Sequence, residues 1–451
     1  MKKVLILLLL VLSLPAWAAD FGAIIDNTTT IEATDPNNFW FQKDKVSLWL
    51  SLDIGEYSFF NIMGNYTFVL QEPYHTYGLD VFELTMDFPV IGDSSYLFGF
   101  TLGRFNASEF TGYVFSHNLD GAQLVFKNAF MNSYLTAGFT GFLFKADSSV
   151  QMSIEDRNYT TQYVEFAPPR LVGMLEFNFP ELFAYQSLDV SFVGQLDMHS
   201  DTTTAQEGDL LIAVDDGGKI DSVYGSIGIG GPLFPNFYWD VFFTFETGRT
   251  VSTVLDPDNN PLTDDDYYTY VPIYAFMAGL KFNIFFPELL KSELAFSVIG
   301  TSGDADYESY IEGNYDDFSL QFTPISRPTI GLVFPQQVSN ILIAQLDYSI
   351  KPFADMTGTA WENMQMILSA IGYFRTSISD VSNSEGLNNG SQDYYLGTEV
   401  DFTTNFRPFS DLGLSLAMGV FFPNNYTDVS AFTPDSKGIE FVARFTFSFE
   451  L

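Results

Sequence analysis

The last dozen residues place the strongest limit on how this chain can fold. Phe441, Ala443, Phe445, Phe447, Phe449 and Leu451 alternate with Glu440, Val442, Arg444, Thr446, Ser448 and Glu450. A period of two marks a β-strand with one apolar face. Loading that face with phenylalanine suits lipid better than a water-soluble sandwich. The pattern recurs along the chain. In 80–88, Phe82, Leu84, Met86 and Phe88 oppose Val81, Glu83, Thr85 and Asp87; in 237–247, Trp239, Val241, Phe243 and Phe245 oppose Asp240, Thr244 and Glu246. Segments 46–53, 188–198 and 396–406 behave alike. Short connections with Pro, Gly or Asp (53–55, 89–93, 231–235, 407–411) alternate with long polar ones (145–168, 200–218, 249–270, 303–317, 424–437). In lipid an open sheet leaves backbone groups unpaired, so these features predict an all-β fold, a closed transmembrane antiparallel β-barrel with short periplasmic turns and long extracellular loops.

Counting strands from 20–31 to the last segment gives eighteen; sixteen also fits, because the first strand and 318–333 alternate poorly. Residues 1–18 read as a cleaved signal peptide, with Lys2 and Lys3, an apolar run from Val4 to Leu14, and the cleavage site Ala16-Trp17-Ala18. That leaves 19–451 as a single barrel domain, exported to the bacterial outer membrane. The 56 acidic and 19 basic residues give a net charge of −37, which nucleic-acid phosphates repel. Hydrophobic residues make up 47% of the chain, too many for acidic disorder. The absence of cysteine excludes a disulfide scaffold, a CxxC zinc site, a cysteine nucleophile and a lipoprotein anchor.

One segment breaks the alternation. Thr359-Ala360-Trp361-Glu362 reads as a capping box, and Trp361, Met364, Ile367, Leu368 and Ile371 recur at helical spacing. A helix within a loop is therefore expected over 359–375, and these five residues form the candidate constriction if it folds into the pore. Strand parity agrees, because one more strand would leave the C-terminus on the wrong side of the membrane.

The polar positions between lipid-facing ones line the lumen. They include Asp53, Glu83, Asp87, Glu176, Asp189, Asp197, Asp240, Glu246, Glu293, Asp347, Glu399, Asp401 and Glu440, against the bases Lys127, Lys281, Lys291 and Arg444. An acidic lining in a water-filled lumen favours cations. His75, His117 and His199 have no serine or aspartate at a diagnostic spacing, so no enzymatic activity is expected. The acidic stretch at 256–266 lacks the Gly and Glu of an EF-hand loop and reads as solvated surface, so no metal or cofactor is expected.

With its leader, alternating turns and aromatic last strand, the chain resembles a Gram-negative outer-membrane β-barrel protein of the porin-like type. The stretch Leu396-Gly397-Thr398-Glu399-Val400-Asp401 through Phe421-Phe422-Pro423 is similar to the closing strands of alginate-export-type barrels and related spirochaete proteins. Exporters of anionic polysaccharide in that family are lined by arginine, whereas this lumen reads acidic, which argues against polyuronate transport. The sequence shows no plug or TonB-box-like segment, POTRA-like domain or passenger domain, which argues against energy-coupled uptake, an assembly role and an autotransporter. The expected function is passive diffusion of small hydrophilic solutes with cation preference. The expected partners are outer-membrane lipids, the solutes and, through the C-terminal strand, the outer-membrane assembly machinery. A hydrophobic-substrate transporter, or a surface adhesin or structural barrel with a filled lumen, are the alternatives.

Overall fold

Two-residue periodicity sends successive side chains to opposite faces of a strand, and here those faces are the inside and the outside of a closed wall. The computed structural model describes residues 19–33, 40–70, 74–89, 97–145, 148–153, 156, 166–200, 204–210, 218–254, 267–307, 318–326, 328–388 and 390–451. The predicted leader, the 90–93 part of one predicted turn and the acidic stretch 256–266 lie outside the described residues.

The wall begins with β1 (Ala19–Glu32), β2 (Trp40–Asp53), β3 (Ser58–Val69), β4 (Tyr74–Pro89), β5 (Leu97–Ser108), β6 (Ser116–Lys127) and β7 (Asn132–Phe139). It continues with β8 (Arg170–Phe183), β9 (Gln186–Asp197), β10 (Asp221–Phe234), β11 (Phe237–Val254), β12 (Tyr267–Phe286) and β13 (Ser292–Thr301). Two short strands, β14 (Thr329–Ile330) and β15 (Gln336–Gln337), form a separate hairpin. The wall is completed by β16 (Ile341–Ile350), β17 (Gln365–Arg375), β18 (Tyr395–Phe409), β19 (Leu412–Pro423) and β20 (Glu440–Glu450). Wall neighbours pair antiparallel, and β20 returns to β1 from Ile24↔Glu450 to Glu32↔Val442. Ala23 and Leu451 exchange backbone hydrogen bonds of 3.1 and 2.8 Å at the seam. The eighteen-stranded sheet is thereby closed, and its backbone groups are paired as a lipid environment demands. Ala19 and Leu451 lie at the short-turn end, where Ala184 and Tyr185 (φ 47° and 63°) make the primed turn that matches strand twist.

The predicted faces hold. Phe243 and Phe245 are exposed on the outside of β11 while Thr244 and Glu246, at the alternate positions, are buried inside. Phe445 is exposed on β20, and Thr446, Ser448 and Glu450 line a lumen cavity with Asn405 and Ser415. Polar side chains form ladders across the inner wall: Ser51 to Asn61 to Glu83 at 2.7 and 3.0 Å, and Thr244 to Ser226 at 2.9 Å.

The expected 359–375 helix is not formed. Ala360–Asn363 makes a single 3-10 turn, and Gln365–Arg375 is the wall strand β17, paired with β16 and β18. The Thr359 hydroxyl donates to the Met356 carbonyl at 2.7 Å, and the Glu362 carboxylate accepts the Gly358 N–H at 2.8 Å, so no capping box assembles. Helical spacing arises because both faces of β17 are apolar. Leu368 faces lipid, whereas Ile371 and Tyr373 are buried beneath an inward loop. The opposite error falls on 318–333, read as a wall strand, which instead crosses the lumen. The two errors cancel, and the count of eighteen stands.

Candidate functional site: a lumen crossed by a strap held by wall carboxylates

The hydrophobic core of this protein lies inside the barrel, because loops from the long-loop end fold into it. The most extensive is the connection between β13 and β16, here called the strap. Its Ser319 docks parallel to β12, donating to the Pro272 carbonyl and accepting from the Tyr274 N–H, both at 2.8 Å. The Thr323 N–H donates to Glu246 at 2.8 Å, and the Tyr224 hydroxyl donates to the Thr323 carbonyl at 2.5 Å. Ile325 and Ser326 donate to the Val114 carbonyl in the β5–β6 loop, at 2.9 and 3.2 Å. Phe322 and Ile325 are fully buried among Phe115, Met152, Tyr224 and Met277. Farther along, the β14–β15 hairpin presents three successive N–H groups to Glu399: Leu332 at 2.5 Å, Val333 at 2.8 Å and Phe334 at 2.9 Å. The Tyr373 hydroxyl adds a fourth at 3.1 Å. Phe334 stacks on Phe421 with ring centroids 4.3 Å apart, and Lys437 lies over Phe334.

The β5–β6 loop is the second inward element. Its Glu109 carboxylate accepts the Thr111 and Val114 N–H groups at 2.7 and 3.0 Å, and burial pushes this carboxyl above its ordinary range. Tyr113 stacks on Phe242 of the wall at 6.0 Å. A third anchor is the fully buried Arg170, which pairs with Asp156 at 2.6 Å and Asp197 at 3.1 Å. It also donates to the Gln195 amide and the Ile220 carbonyl. Two loops are thereby fastened to β8 and β9.

These contacts sort the predicted lining residues. Glu246 and Glu399 are buried sockets for the strap, Glu176 lies near the Phe110 backbone of the β5–β6 loop, and Asp197 is spent on Arg170 and His199. Glu440 pairs with Lys437 at 2.9 Å. Asp347 accepts from Gln345, Glu83 from Asn61 and Asp189 from Asn178, all wall to wall. Asp87, Asp240 and Asp401 lie over Gly99, Gly230 and Gly419, whose missing side chains make room for them. Arg444 is exposed on the same face of β20 as Thr446.

The candidate constriction residues do not come together. Trp361 stacks on Phe406 at 4.6 Å in the short-turn end, Met364 ends that turn, and Leu368 faces lipid. Ile367 shares the lumen face of β17 with Ile371, and Ile371 packs against the strap. The segments that pack inside the barrel are instead the strap and the β5–β6 loop. Glu109, Asp156, Arg170 and Phe322 were missed, because no periodicity marks a loop that packs inside a barrel. The one available signal was β17, where an apolar lumen face requires something to cover it.

No protein-family profile matches the sequence, and no curated protein matches it. Solved outer-membrane porins of Pseudomonas aeruginosa do share its fold. OccK2 (OpdF) is 10% identical with a TM-score of 0.55, over 96% of this chain and 98% of that one. OccK3 (OpdO) is 11% identical with a TM-score of 0.52, over 96% of each chain. OccD3 (OpdP) is 12% identical with a TM-score of 0.51, over 96% of this chain and 92% of that one. By its closed wall and this likeness, the chain has the fold of a Gram-negative outer-membrane porin-like β-barrel.

Proposed function

We propose that the protein is a passive outer-membrane channel for small hydrophilic solutes, preferring cations. The observation that carries this reading is the division of the lumen along its length. The half nearer the long loops is packed by the strap, with its carboxylates engaged. Toward the short-turn end Asp189 and Asp240 line a cavity of about 440 Å³, Asp411 and Glu450 line another of about 420 Å³, and Glu83, Asp87 and Asp347 stand on the wall strands. A negative lining raises the local concentration of cations and repels anions. Planar-bilayer reversal potentials in a KCl gradient test it. A cation-directed potential is expected, and an anion-directed potential refutes the acidic-lining argument.

The buried clusters inside the barrel favour a second reading, a filled structural barrel whose loops bind at the cell surface. A silent bilayer with correctly folded protein selects it. The aromatic last strand supports a further proposal, that the assembly machinery takes up the chain by β20. Phe449→Asp should then lower the membrane-inserted fraction, and unchanged insertion would count against it.

A further inference from the structure

We infer that the lumen cavity of about 440 Å³ beneath the β5–β6 loop is a binding subsite for a compact organic ammonium ion. This deepens the channel reading above and rests on it. Glycines of the wall seat the side chains that line the cavity. Asp189, Gly228, Phe242 and Gly279 are successive Cα partners across β9, β10, β11 and β12. Gly230 and Lys281 flank Asp240 in the adjoining row. With no side chain at Gly228 the Phe110 ring lies against the backbone, where an added Cβ would meet it at 2.6 Å. Phe242 likewise lies over Gly279, and Asp240 over Gly230. Tyr113 stacks on Phe242 with an interplanar angle of 22°. The result is an aromatic surface formed by Phe110, Tyr113 and Phe242, with the carboxylates of Asp189 and Asp240 in the same chamber.

Ring faces carry negative quadrupole potential and attract cations within about 6 Å, most strongly when the cation is poorly hydrated. A hydrated metal ion gains little from such faces, and a carboxylate is repelled by both components. Lys281 stands beside Asp240 and offsets part of its charge, leaving Asp189 as the chief counter-ion. The volume suits a quaternary ammonium on a ring-sized apolar body.

The probe is benzyltrimethylammonium, with benzoate as the anion of similar size. Added to the conducting channel, benzyltrimethylammonium should interrupt the current and benzoate should not. Asp189→Asn, which retains a partner for Asn178, and Phe242→Leu, which keeps bulk without the ring face, should each weaken the block about tenfold. Equal block by benzoate, or block unchanged in both variants, overturns the subsite. Calorimetric titration of the detergent-solubilised barrel reads binding without current. A cation-selective channel that binds no benzyltrimethylammonium refutes the subsite alone. A silent barrel that binds it refutes the channel alone.

Discussion

Replacing Glu399 with alanine removes the acceptor of three buried N–H groups and the Tyr373 hydroxyl in one step. A buried donor left unmade costs about 1–3 kcal/mol. Lumen water can reach part of the vacated site and recover some of this, so the three N–H groups together lose ~3 kcal/mol. That weakens hairpin docking on the wall about a hundredfold. Glu399→Gln keeps one carbonyl oxygen and should lose about half as much. Wall pairing is untouched in both, so heat-modifiable gel mobility should be retained. Single-channel recording should show higher mean conductance and added open-state noise, ordered alanine above glutamine above wild type. Conductance and noise unchanged in an assembled Glu399→Ala barrel would refute the socket role.

Other outcomes follow from the same contacts. Excising 365–375 should abolish barrel formation, because β16 and β18 each lose a partner; a folded, heat-modifiable product would contradict the register. Phe322→Ala should cost about 3–5 kcal/mol at a fully buried site and accelerate amide exchange in the strap, with exchange at wild-type rate as the contrary result. Burial, reinforced by a hydrogen bond with Asp306, pushes Asp304 up to about 6. Its contribution to strap docking is therefore complete below about pH 4 and lost as pH rises through about 6. Exchange at Leu320, whose N–H donates to Asp304 at 2.7 Å, should quicken across that window beyond the intrinsic rise, and Asp304→Asn should remove the excess.

Alternation was enough to read the wall because a barrel strand answers to two solvents, and each residue reports which one it meets. Phe243 and Glu246 could be assigned from sequence for that reason. The same logic failed wherever a third environment intervened. Ile371 and Tyr373 face a lumen that is locally dry, so β17 carries apolar residues on both faces and mimics a helix. Glu399 and Glu246 looked like pore charges because a carboxylate that caps loop backbone leaves the same trace as one facing water. Asp189 and Asp240 line a lumen cavity instead of capping loop backbone. Loop destination is decided by contacts 65 and 77 residues apart, beyond the reach of any local pattern.

Those separations also bear on the order of assembly. The strap has one socket, Glu246, far upstream of it and the other, Glu399, far downstream. A wall laid down in chain order offers the first as soon as β11 is present, but lacks the second until β18 arrives. Until then the β14–β15 hairpin has nowhere to dock, and the partial barrel is hollow on that side. A chain truncated before Tyr395 should remain cleavable by protease within 329–337, whereas the complete barrel should resist. Sealing the seam and filling the interior thus belong to the same late stage of biogenesis, so a barrel that leaks is also one that has not finished folding.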